Sequence, residues 1–315
     1  MTDNERICLM ALAMTRGLKN AAARALLEHF GTAVDALAAR HRPHEMAPAF
    51  DGVVPPAHIA RSMDDALRRA EQEERFLSDR RVRLYALTDA DYPRRLRECP
   101  DPPVVVYYKG TADLNAPQAI GIVGTRHATE YGLRMTEDLL RGLTEAFPDL
   151  LVVSGLAYGI DICAHRTALQ VGMPTVGVVA HGLDRIYPEE HRETAARMMA
   201  RGGLFSEYPS ETRPSRDNFL RRNRLIAGLS DVVVVVESSK RGGALTTAAH
   251  ALAYGREVYA FPGRVGDERS VGCNHLIHTR RATLISSSND LIRSMIWDAR
   301  QEGVQHRQLQ LPFME

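Results

Sequence analysis

DVVVVVE, residues 231–237, sets five consecutive valines between an aspartate and a glutamate. A β-branched run of this kind favours extended backbone. No polar residue alternates through it, so both faces of the strand must be covered. Six runs of similar character accompany it: AIGIVG (119–124), LLVVSG (150–155), PTVGVVA (174–180), GGLFSE (202–207), EVYAF (257–261) and ATLIS (282–286). They recur roughly every 25 to 30 residues, and each interval has room for one helix. The pattern predicts an α/β fold: an extended Rossmann-type, doubly wound, mostly parallel sheet with helices on both faces. VRLYAL (82–87) and PVVVYYKG (103–110) are strand-like stretches ahead of the repeat.

Upstream the rhythm is helical. ERICLMALAMTRG (5–17) is read as a helix ending at Gly17, and LKNAAARALLEHFG (18–31) as one ending at Gly31. TAVDALAAR (32–40) is a short third helix with Thr32 as its N-cap. Residues 41–57 contain four prolines and read as an irregular linker, followed by a charged helix near 58–79. The expected division is a small all-α domain over 1–65, a connecting helix over 66–81, the Rossmann-type domain over 82–298 and a flexible tail over 299–315.

Composition excludes some classes. At 44 % hydrophobic and 25 % charged residues, the chain is an ordinary globular one. It has no run of eighteen apolar residues, and its N-terminus does not read as a secretory signal, so neither a membrane span nor export is expected. Cys8, Cys99, Cys163 and Cys273 are scattered without a CxxC pair. They read as small buried hydrophobes in a reducing compartment, not zinc ligands. A net charge of +1 excludes a uniformly basic nucleic-acid binder but leaves room for a local basic groove.

In an open parallel sheet, ligands bind beyond the carboxyl ends of the strands. Three of the stretches found there bring small residues to a strand-to-helix turn: Gly124-Thr125-Arg126; Ser154-Gly155 with Gly159; and Gly242-Gly243 with Thr246 and Thr247. Such turns either admit backbone N–H groups to an anion or are simply tight turns that need glycine. The chain has no GxGxxG after the first run and no GxxxxGK[ST], which argues against a dinucleotide or a P-loop nucleotide. Asp161 and His165 lie four apart on a helix, read as a first-turn acid and a packed histidine. His181, His191 and His250 form no recognisable catalytic or metal set.

The fourth stretch is basic. RPSRDNFLRRNR (213–224) holds five arginines, one aspartate and Phe219. One reading is a solvated helix face with ion pairs to Asp217 and Glu211. The other starts from geometry. A helix beginning near Asp217 puts Phe219, Arg222, Asn223 and Ile226 on one stripe and Arg221 and Arg224 on another. Arg222 and Asn223 would then be partly buried, bracing the strand-end loops. Arg213 and Arg216 would be freer to meet phosphates, and Phe219 would be exposed. Arginines beside an aromatic suit an unpaired strand, with charge along the backbone and a flat ring under a base.

The motifs taken together resemble the DprA (Smf) family of bacterial DNA-processing proteins. The matching stretches include DADYPRRLRECPDPPVVVYYKG, GIVGTRHATEYG, VVSGLAYGIDICAHRTAL, NFLRRNRLIAGLSDVVVVVES, RGGALTTAAHALAYGREVYAFPG and GCNHLI, in the family's order over roughly residues 80 to 285. The resemblance implies a sterile-alpha-motif-like or helix-hairpin-helix-like N-terminal domain. It implies a cytoplasmic, non-enzymatic protein without cofactor, which binds single-stranded DNA as a homodimer, protects it during natural transformation and loads the RecA recombinase. It assigns the pocket to Arg126, Arg216 and Phe219. The wider site comprises Gly124, Thr125, Ser154, Gly155, Gly159, Arg222, Asn223, Arg224, Lys240, Gly242, Gly243, Thr246 and Thr247. Relative to the family, the chain stops before a C-terminal winged-helix domain, places His181 where a small residue is common, and has Arg281 where glycine is frequent. The alternative is a phosphoribohydrolase-like enzyme of the same broad fold. Its glycine loop would correspond to KRGGALTTAAHA (240–251), but Ala248 and Ala249 stand where its glutamate is expected.

Overall fold

The computed structural model describes residues 1–55 and 57–294. The expected tail over 299–315 and residues 295–298 lie outside the described residues.

The N-terminal helices begin and end where side chains satisfy their termini. In helix Asp3–Met14, Thr2 Oγ1 accepts from Glu5 N at 3.2 Å. This helix stops three residues before the expected Gly17. Thr15 adopts extended backbone, and its hydroxyl donates to Ala11 O at 2.7 Å. The next helix, Asn20–Phe30, ends at Gly31 with φ +78°, as its sequence implies. Helix Ala33–Ala38 is capped by Thr32. The Glu5 carboxylate also accepts from Ala33 N at 2.6 Å and Val34 N at 3.2 Å, tying the first helix to the third.

The linker expected to be irregular instead carries a 3₁₀ helix, Pro43–Phe50, which buries Met46 completely. Its prolines hid the period: a proline in the first turn lacks only an N–H that would be unbonded anyway. Helix Ala57–Arg80 buries Ile59, Met63, Ala66, Ala70, Glu73 and Leu77, a spacing that keeps one face inward. Position 65 lies inside this single helix. Its inward face packs into a core shared with Leu84, Val105 and Tyr107 of the first two strands.

Among the described residues nine strands form one sheet: β1 (Arg83–Ala86), β2 (Val105–Gly110), β3 (Ala119–Val123), β4 (Leu151–Ser154), β5 (Thr175–Val178), β6 (Gly202–Ser206), β7 (Val232–Val235), β8 (Glu257–Ala260) and β9 (Thr283–Leu284). Their order is β1-β2-β6-β5-β4-β3-β7-β8-β9. β1–β2 and β2–β6 pair antiparallel, and the rest of the sheet is parallel. The chain winds outward from β3 to β6, then returns to place β7 on the other side of β3. The β3/β7 boundary is therefore the switch point, where the loops leaving two adjacent strands diverge.

The valine run shows why the sheet is buried on both sides. Val233 and Val235 enter the core on one face, and Val232, Val234 and Val236 the core on the other. Ahead of that run, Asp231 joins three segments. Arg95, buried on helix Arg94–Arg97, donates to its carboxylate through Nε at 2.6 Å and Nη2 at 2.8 Å. The same carboxylate accepts from Ala119 N at 2.7 Å, at the start of β3.

His165 is fully buried in helix Ile160–Gln170. It meets Thr175 Oγ1 at 2.7 Å, and that hydroxyl donates to Val152 O, so His165 Nδ1 is the donor of the pair. Asp161 is not its partner, which agrees with the reading of His165 as a packed histidine.

Two stability predictions follow from these buried polar groups. Asp231→Ala leaves the Arg95 guanidinium buried without its carboxylate and should cost about 3–5 kcal/mol in urea unfolding. A loss of well under 1 kcal/mol would show that the staple contributes little. Burial lowers the His165 pKa from 6.5 to about 3. The unfolded ring gains a proton below about 6.5 that the folded ring refuses until about 3, so this contribution is full above 6.5 and falls as pH drops. His165→Asn should therefore be less stable than the wild type at pH 7 yet lose stability less steeply between pH 7 and pH 5.

Candidate nucleic-acid interface

Each predicted loop meets its neighbours through buried polar groups. The loop after β3 is held by Glu237, at the end of the valine strand. Thr125 N donates to Glu237 O at 2.8 Å, while Thr129 N and Oγ1 donate to the Glu237 carboxylate at 2.9 and 2.6 Å. A side chain at Gly132 would collide with that carboxylate. The valine strand therefore fixes the base of the Gly124-Thr125-Arg126 loop and leaves Arg126 exposed above it.

Helix Arg216–Gly228 supplies the opposite wall, with Ser215 Oγ accepting from Asn218 N as its cap. The expected stripe forms. Arg222 and Asn223 are 3 % and 8 % exposed, so they are more deeply buried than anticipated. Arg222 Nη1 donates to Gly155 O at 2.6 Å and also to Val178 O, bridging the ends of β4 and β5. Burial lowers its pKa to about 10, opposed by the nearby Asp161 carboxylate, whose own pKa burial raises. Asn223 Nδ2 donates to Gly243 O at 3.2 Å, setting the start of helix Gly243–Ala253 against this wall.

Between these walls lies a cleft of about 580 Å³. Gly124, Thr125, Arg126, Arg216, Phe219, Arg222, Asn223, Gly242, Gly243 and Thr247 line it, with Asp161 among the other lining residues. The Arg126 guanidinium carbon is 5.0 Å from the Phe219 ring centroid, and that of Arg222 is 5.8 Å away. Phe219, expected to be exposed, is half-buried because these guanidinium groups and the Tyr187 ring crowd it. Among the described residues, neither Arg126 nor Arg216 forms an ion pair.

Six expected site residues lie elsewhere. Ser154 is buried and donates to Ile122 O at 2.6 Å. Gly155 and Gly159 do not line the cleft. A Cβ at Gly155 would press on Arg222 and Asp161, and Gly159 has φ +74° with no room beside Thr125 O. Arg224 points away: it pairs with Glu207 and with Asp101, the latter at 3.6 Å, so its charge is spent within the fold. Lys240 is exposed and Thr246 half-buried, both outside the lining. Of the five glycines, Gly159 alone has a positive φ, while Gly124, Gly242 and Gly243 line the cleft. Gly124 itself abuts Ile160, and a side chain there would need that packing to open.

Sequence reasoning passed over Arg269 and His127, which also line the cleft. Arg269 lies in the run after β8, between Gly263 and Gly272. Its backbone carbonyl accepts from Ser238 N at 2.7 Å, and its Nη1 reaches Thr125 Oγ1 at 3.5 Å. The signal was the position of that run beyond a strand end; nothing in its composition singled out this arginine. Ala248, where the alternative enzyme would need a carboxylate, is fully buried. The cleft can therefore receive a polyanion along Arg126, Arg216 and Arg269, with a flat apolar group against Phe219.

Among the described residues, no helix is long and apolar enough to cross a membrane. The family model for DNA recombination-mediator protein A matches residues 83–296. DNA processing protein DprA of Streptococcus pneumoniae is 38 % identical over 208 residues, covering 66 % of this chain and 72 % of that protein. Protein Smf of Synechocystis is 42 % identical over 211 residues, covering 66 % of this chain and 52 % of that protein. For another curated relative, from Mycobacterium tuberculosis, the covered share is 60 %, so the chain matches only part of the length of these relatives. The X-ray structure of S. pneumoniae DNA processing protein A superposes with a TM-score of 0.75 at 32 % identity, covering 93 % of this chain and 98 % of that one. A structure of DNA processing protein A from Helicobacter pylori, described for that protein's single-stranded DNA binding mode, gives 0.61 at 30 % identity, covering 68 % of this chain and 94 % of that one. On the fold, the motif order and these matches, the chain belongs to the DNA recombination-mediator protein A family.

Proposed function

We propose that this chain is a non-enzymatic recombination mediator whose cleft grips single-stranded DNA. It would shield incoming strands during natural transformation and pass them to the RecA recombinase, acting in the cytoplasm as a homodimer. The observation that carries the reading is the meeting of Arg126 and Phe219 at 5.0 Å, from crossovers far apart in sequence. In this proposal Arg126, Arg216 and Arg269 neutralise phosphates and Phe219 stacks a base. Arg222 and Asn223 act indirectly, by holding the walls. The recombination-mediator family and the single-stranded DNA binding described for the H. pylori protein support this assignment. The cleft takes an unpaired strand in preference to a duplex because its recognition elements are point charges and a ring, not a helix or ribbon shaped for a groove.

Charge neutralisation makes binding sensitive to salt. With these three arginines each neutralising about one phosphate, log K for oligothymidylate should fall with a slope of roughly −2 against log salt. Arg126→Ala should weaken binding to every sequence alike and flatten the slope by about 0.7. An unchanged affinity and slope in that variant would refute the assignment of the pocket. Sedimentation at micromolar concentration tests the dimer, and a purely monomeric 35 kDa species would exclude it.

A further inference from the structure

The loop after β5 brings a second aromatic ring to the edge of the cleft. Tyr187 lies 5.9 Å from Phe219, centroid to centroid, with the rings tilted by 42°. The residue is 46 % exposed, and Tyr158, at 41 %, is the only other strongly exposed tyrosine, phenylalanine or tryptophan among the described residues. Tyr187 does not itself line the cleft but adjoins Phe219, which does. A ring exposed beside a cleft-lining aromatic calls for a reason. Hydrogen bonding does not supply it for Tyr187: among the described residues its hydroxyl has no partner.

The start of its loop is also braced. Gly182 N donates to Thr212 O at 3.1 Å, and Asp184 Oδ1 accepts from Glu211 N at 2.9 Å. These contacts fasten the Tyr187 loop to the segment that leads into helix Arg216–Gly228. The loop that carries Tyr187 is therefore tied at its start to the segment before Phe219, which reduces the freedom lost when a ligand arrives.

We propose that Tyr187 is a second stacking platform, which extends the cleft by one unpaired base beyond Phe219. This rests on the single-stranded DNA reading of the cleft. A flat π-face accepts any base, so the added site gains affinity without sequence preference. Tyr158, the other exposed ring, contributes less. It packs edge-on against His191 at 4.9 Å, and its hydroxyl is hydrogen-bonded to Glu190, a carboxylate that repels phosphates.

The test compares wild type, Tyr187→Ala and Tyr187→Phe on two ligands of equal length: oligothymidylate, and the same backbone with abasic sites in place of its bases. Tyr187→Ala should bind oligothymidylate about tenfold more weakly. Tyr187→Phe should bind like the wild type, since the ring and not the hydroxyl carries the contact. On the abasic strand all three proteins should bind alike, because phosphate contacts are untouched. Equal binding of oligothymidylate by Tyr187→Ala and wild type would overturn the proposal. So would an equal loss on both ligands, which would indicate a distorted cleft. Failure of the wild type to bind oligothymidylate at all would overturn the cleft assignment together with this extension.

Discussion

The geometry of the site depends on one buried guanidinium. Arg222 hangs on the Gly155 and Val178 carbonyls, at the ends of two adjacent strands, and faces the buried Asp161 carboxylate. A charge so deeply buried persists only where its donors are answered and an opposite charge is near. Those requirements leave helix Arg216–Gly228 little freedom to slide or rotate. Phe219 and Arg216, one or two turns earlier on that helix, inherit their positions from it.

A second buried charge does the same for the facing loop. Glu237 accepts from the backbone and hydroxyl of Thr129, and its carbonyl takes Thr125 N. Arg126 is thereby presented by a loop whose base cannot shift far without leaving a buried carboxylate unsatisfied. The protein separates its arginines by task. Arg95, Arg222 and Arg224 are tied to carboxylates or carbonyls inside the fold, whereas Arg126 and Arg216 have no internal ion-pair partner among the described residues. This is how a chain of net charge +1 concentrates positive potential in one cleft.

Much of this was legible in the sequence. The alternation of apolar runs with helical intervals determined the parallel sheet, because only a strand covered on both faces tolerates a run such as 232–236 without polar alternation. The helical stripe through Phe219, Arg222, Asn223 and Ile226 was likewise readable, since a 3.6-residue period fixes which residues share a face. The order of motifs was enough to indicate the family.

Tertiary structure decided what each charge does. Arg222 and Arg224 stand two apart in the same basic run, yet one braces the strand ends and the other is locked to Glu207 and Asp101. Whether an arginine is free depends on carboxylates brought close from remote positions in the chain, and local spacing carries no record of them. For the same reason nothing in the sequence marked Arg269, Glu237 or Tyr187 for the part each plays. Each matters through a neighbour more than 30 residues away, placed there by the crossover of strands and not by any motif of its own.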